Sequence, residues 1–123
     1  MQASLTYRDN RFSGYDAAAI VEVIEHLDPS RISSFERVVF EFATPRTVII
    51  TTPNSEYNIH YPNLSEGKLR HTDHRFEWTR LEFSNWCDHI CNTFGYTVKI
   101  SEIGDHDDFY GSPTQMGVFT KCV

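Results

Sequence analysis

A chain of 123 residues with 40% hydrophobic and 14% aromatic residues has the apolar mass for one folded domain over 1–123, and that composition argues against disorder. The formal net charge of -6 argues against indiscriminate binding to polyanions, yet Lys68, Arg70, Arg75 and Arg80 crowd together beside His71 and His74, which leaves a local anion site open. Cys87, Cys91 and Cys122 form no CxxC pair and point to reduced thiols in a cytoplasmic protein. No basic-then-apolar leader and no apolar run near the ~18 residues of a membrane span are present, so neither secretion nor membrane insertion is expected.

In chain order, "DAAAIVEVIE" from Asp16 is rich in Ala, Val and Ile and too short for an independent helix, so it reads as a buried strand. "DPSRISSFERVVFEFAT" follows, with Ile32, Phe35, Val38, Val39 and Phe42 at helical spacing and Asp28 or Ser30 as cap candidates. "PRTVIITTPN" is a β-branched run bounded by prolines and reads as a second buried strand. Strand, helix, strand implies a parallel pair, so Glu22 to His26 and Thr52 to Asn54 reach the same edge of the sheet. The polar connection from Pro53 to about Glu77 is long enough to be a functional loop. "TRLEFSNWCDHICNTFGY" restores helical periodicity through Leu81, Phe83, Trp86, Ile90 and Phe94, and Gly95 stops it. "YTVKISEI" and "QMGVFTKCV" read as two last strands, antiparallel neighbours in a mixed sheet. The expected architecture is three-layer α/β packing.

Two clusters carry chemistry. Glu22, Glu25 and His26 sit at i, i+3 and i+4 and converge on one side if the strand ends in a helical turn. They offer oxygen and nitrogen to a divalent ion such as Mn²⁺, Co²⁺ or Mg²⁺; the alternative is a solvated helix start with its acids at the positive dipole end. His71, Asp73 and His74 lie in the long loop just before Phe76 and Trp78, which read as packing that fixes the loop rather than as base-stacking platforms. Their spacing matches neither the zincin pattern nor a Cys/His zinc pattern, and a structural zinc site is not expected.

"EVIEH" at one strand end, "TTPNSEYN" at the next and "GKLRHTDHRFEWTRLEF" together resemble the HUA-enhancer family of RNA 3′-terminal 2′-O-methyltransferases, over about Leu5 to Phe119. The resemblance implies that Glu22, Glu25, His26 and His74 are the catalytic metal ligands, with His71 as the alternative fourth should the loop register differ. It implies the C-terminal portion of a class I, Rossmann-like fold using S-adenosylmethionine. No Gly-x-Gly turn is present for that cofactor, so the first two strand–helix units read as missing, with Ser4 and Leu5 left nearest the cofactor's position. By that reading the chain alone is expected to transfer no methyl group.

The implied chemistry is chelation of the 2′- and 3′-hydroxyls of an RNA 3′ end and methylation of the 2′-oxygen. Arg70 and Arg75 are the candidates for contacts with the terminal phosphates. The overall pattern leans toward bacterial relatives acting in RNA repair, which implies a kinase/ligase partner, rather than toward those acting on small silencing RNA. Two rival readings are a metal-dependent phosphoesterase, which would activate water with the same ligands, and a non-catalytic module that binds an RNA 3′ end through metal.

Overall fold

A computed structural model describes residues 17–62, 64 and 69–122. Strands β1 (Ala17–Val21), β2 (Thr47–Pro53), β3 (Tyr96–Ile103) and β4 (Thr114–Lys121) form one sheet in the order β1-β2-β4-β3. β1 and β2 are parallel, with Val21 beside Thr51, while β4 runs antiparallel to both β2 and β3. The expected parallel pair and the expected antiparallel neighbours are therefore both present, and the sheet is mixed.

Between β1 and β2 the chain is helical from Pro29 to Ala43 in three consecutive geometries: a 3₁₀ turn at Pro29–Arg31, α1 at Ile32–Glu36, and π-helical turns at Arg37–Ala43. Neither cap candidate contributes through its side chain: Asp28 stands at the N-cap of the 3₁₀ turn with no side-chain cap bond. The wider turns change which face is apolar. Phe35, Val38 and Val39 are buried as the helical spacing predicts, but the i→i+5 register buries Phe40 in place of Phe42, together with Ala43, while Phe42 is half-buried. Thr44 closes the segment in the left-handed region at φ 45°.

The second helix, α2 (Arg80–Phe94), starts in a capping box: Thr79 accepts from the Glu82 N–H, and the Glu82 side chain accepts from the Thr79 N–H. Gly95 ends it at φ 77°, a conformation that a side chain would strain. Phe83, Trp86, Cys87 and Ile90 of α2 join Phe35, Val39 and Phe40, and both sets meet the alternate sheet residues Val48, Ile50 and Phe119 in one apolar cluster. Phe40 sits at its centre, with ring centroids 5.2 Å from both Tyr96 and Phe119 and 5.9 Å from Phe94.

Among the described residues two layers of the expected three are present. Both helices cover the same sheet face, and Ile49 and Val118, which point the other way, are only half-buried. A period-2 pattern in β2 and β4 shows which residues share a face but not which helix lies on it. Gly117 lets α2 approach: a Cβ there would lie 3.0 Å from Phe119 Cε1 and 3.4 Å from Phe83 Cζ.

Candidate metal centre

β1 ends at Val21, and Glu22 then turns the chain at φ 55°, a left-handed conformation that is rare for a glutamate. Its N–H still bonds to the carbonyl and the hydroxyl of Thr51 at 3.1 and 3.2 Å, so the turn is anchored on β2. A 3₁₀ turn at Ile24–His26 follows. The strand predicted to run through Glu25 thus stops four residues earlier, and the helical turn that would bring the carboxylates and the imidazole together is present. Strain in such a turn concentrates where structure over-determines it, commonly at functional sites.

Glu25 is fully buried. One of its oxygens accepts from Thr52 Oγ1 at 2.9 Å, and the other, Oε2, has no hydrogen-bond partner. An orphaned carboxylate oxygen in the interior is costly. Burial above all, with the Glu22 carboxyl beside it, pushes the Glu25 acid up to about 7, although its backbone amide and Thr52 pull the other way.

The long loop closes over this carboxylate. The Arg75 N–H donates to the Glu25 carbonyl at 2.6 Å, and His74, itself buried, lies with its ring centroid 4.7 Å from that of His26. Glu25, His26 and His74 each offer a ligand atom, all within 4.8 Å of one another. The outer ring nitrogens are occupied: His26 Nδ1 is 3.3 Å from Asp73 Oδ2, and His74 Nδ1 is 2.6 Å from Glu77 Oε2. His26 Nε2 faces Glu25 Oε2 at 3.7 Å. Imidazoles backed by carboxylates around an unsatisfied carboxylate oxygen suit a divalent cation of intermediate hardness.

Glu22 stands outside this trio but lines the same cavity, of about 470 Å³, together with His26, His71 and His74. His71 is exposed, with its ring 4.9 Å from that of His74. The His74 register is therefore the one that reaches Glu25.

The two arginines proposed for phosphate contacts differ. Arg70 lines the cavity, but its guanidinium is spent on the protein: Nη1 donates to the Pro113 carbonyl at 2.9 Å, Nη2 to the Asn54 carbonyl at 2.5 Å, and Nε to Asn58 Oδ1. It fastens the loop to the ends of β2 and β4. Arg75 is exposed and sits 3.4 Å from Asp28. Ser4 and Leu5, the cofactor-side candidates, lie outside the described residues. Phe76 and Trp78 are packing residues, as expected. Their rings lie 4.8 Å apart, and Trp78 is 5.4 Å from Trp86.

Sequence reading passed over Thr52, Asn58 and Glu77. The i, i+3 spacing of His74 and Glu77 was the one local signal, but it carries meaning only once a loop turn stacks the two side chains.

No family model matches this chain. It is 40% identical to the small RNA 2′-O-methyltransferase of Mus musculus over 121 residues, covering 96% of this chain and 30% of that protein; the chain thus spans about a third of the curated relatives it matches. The crystal structure of the methyltransferase domain of bacterial CtHen1-CN superposes with a TM-score of 0.83 at 59% identity, covering 98% of this chain and 60% of the other. A chain of the Pnkp1/Rnl/Hen1 RNA repair complex superposes with a TM-score of 0.69 at 30% identity, over 85% of this chain and 22% of that one. A SAM-dependent methyltransferase from Archaeoglobus fulgidus, at 13% identity and a TM-score of 0.65 over 98% of this chain and 66% of that one, shares the fold alone. The described sheet and helices are thus a portion of a SAM-dependent methyltransferase fold, and the chain belongs to the Hen1 family of small RNA 2′-O-methyltransferases.

Proposed function

We propose that this chain is the metal-holding, acceptor-side part of an enzyme that transfers a methyl group from S-adenosylmethionine to the 2′-hydroxyl of an RNA 3′-terminal nucleotide. Glu25, His26 and His74 would hold a divalent cation, with Glu22 completing the protein ligands. Such an ion supplies Lewis acidity that lowers the pKa of a bound hydroxyl. The observation that carries this reading is the orphaned, buried Glu25 Oε2, 3.7 Å from His26 Nε2, on a carboxylate that offers a ligand atom within 4.8 Å of those of His26 and His74.

The residues around the centre have separate tasks. Thr52 orients the Glu25 carboxylate from the end of β2, and Asp73 holds the His26 ring by its outer nitrogen. Arg70 keeps the loop seated on β2 and β4. Arg75, exposed at the rim, is the proposed contact for the terminal phosphates, with Asp28 as its partner when RNA is absent. Recognition of a sugar and its charge rather than base edges asks little of the RNA sequence.

The presence of relatives in the Pnkp1/Rnl/Hen1 RNA repair complex supports proteins of that kind as assembly partners. Calorimetry with Mn²⁺ tests the metal reading: wild type should bind one ion, and Glu25→Ala should bind none. Methyl incorporation by the protein that carries this segment, into an RNA with a free 2′,3′-diol but not into its 3′-phosphorylated form, tests the reaction. Equal incorporation into both would overturn it.

A further inference from the structure

Glu77 is a carboxylate with a fully buried side chain that touches no candidate metal ligand except His74. Two donors of fixed polarity and one histidine ring nitrogen converge on it. The His74 ring reaches Oε2 through Nδ1 at 2.6 Å, the Arg70 backbone N–H donates to the same oxygen at 2.7 Å, and Asn58 Nδ2 donates to Oε1 at 2.7 Å. Asn58 cannot turn over. Its Oδ1 accepts from Arg70 Nε, and a guanidinium has no acceptor to offer, so the amide must point its NH₂ toward Glu77.

The two fixed neighbours therefore donate, one to each oxygen, and residue 77 must accept at both. From this polarity we infer that Glu77 is a positioning residue that locks His74 as its Nδ1–H tautomer, leaving the Nε2 lone pair for the centre formed with Glu25 and His26. Asn58, from the "TTPNSEYN" segment, sets the direction of the chain of bonds from Arg70 to Glu77 to His74. The use of this lock rests on the divalent-cation reading above; the lock itself does not.

The inference makes a specific demand on substitutions. Glu77→Gln places an amide NH₂ against a donor in either orientation: toward Asn58 Nδ2, or toward the Arg70 N–H and His74 Nδ1. Adding Asn58→Asp repairs the conflict, because the introduced aspartate accepts from both Arg70 Nε and the introduced amide, while the glutamine oxygen takes the other two donors. The two changes together keep the formal charge constant.

The test is ¹⁵N spectroscopy of the histidine rings in the metal-free 123-residue chain, above the pH range of histidine titration, paired with Mn²⁺ calorimetry. Wild type and N58D/E77Q should show His74 protonated at Nδ1, and E77Q should show the Nε2–H form or a mixture. Mn²⁺ affinity should fall about 10–100-fold in E77Q, the usual cost of losing a carboxylate behind a histidine ligand, and recover in the double variant. An unchanged tautomer and affinity in E77Q would overturn the inference. If E77Q fails to fold, a folded N58D/E77Q with the Nδ1–H form supports it, and one with the Nε2–H form overturns it. A wild type that binds no Mn²⁺ would sink the cation reading, while the ring spectra would still decide the role of Glu77.

Discussion

Thr52 and Glu25 meet at the carboxyl ends of two parallel strands: the threonine hydroxyl donates to one carboxylate oxygen at 2.9 Å, and the other oxygen is left without a partner. The parallel pairing of β1 and β2 creates this relationship, because both strands then deliver their last residues to one edge.

A buried acid held up at about 7 makes stability depend on pH. Its folded value lies above its model value of 4.5, so the folded state binds the proton more tightly, and stability from this group is fully present below the unfolded value. It is lost as pH rises from about 4.5 to about 7 and stays lost above that. The loss should be on the order of 3 kcal/mol in the metal-free chain. Glu25→Gln, which keeps the acceptor for Thr52, should flatten that part of the profile in denaturant unfolding between pH 4 and 8.

Cation binding should carry the opposite pH dependence. The ion must displace the Glu25 proton, so the apparent Mn²⁺ affinity should rise about tenfold per pH unit below about 7 from this group alone. Isothermal titration in buffers of different ionisation enthalpy would count the protons released; an affinity flat between pH 6 and 8 would contradict Glu25 as a ligand.

The π-helical turns between Arg37 and Ala43 predict unequal phenylalanines. Phe40, 1% exposed and touching four other rings, should cost about 3–5 kcal/mol when changed to Ala. Phe42, half-buried, should cost clearly less. An undistorted helix would reverse or equalise the two, and thermal unfolding of both variants decides.

Arg70→Ala and Arg75→Ala should fail differently. The first removes bonds to the Pro113 and Asn54 carbonyls and should lower stability by about 1–3 kcal/mol, since part-buried acceptors lose their donors. The second should leave the melting temperature within error. It should instead weaken RNA binding uniformly across sequences and reduce the salt slope by about one.

Local rules sufficed wherever a residue's role depends on its near neighbours in the chain. The parallel strand pair, the stop of α2 at Gly95, the packing role of Phe76 and Trp78, and the nearness of Glu25 to His26 all follow from propensity, periodicity and caps. Four features were decided by tertiary structure. Which phenylalanine of the first helix enters the core depends on a π turn that sequence periodicity does not encode. Which sheet face the helices cover is not contained in an alternating pattern, since alternation has no sign. Within the loop, Arg70 reads as a free cation for phosphate but becomes a fastener, because the carbonyls of Asn54 and Pro113 come within its reach only when β2 and β4 pair. Glu77 gains its place behind His74 for the same reason: its partners Asn58 and Arg70 lie up to 19 residues away and are brought together by the fold, and only the i, i+3 spacing to His74 is visible in the sequence.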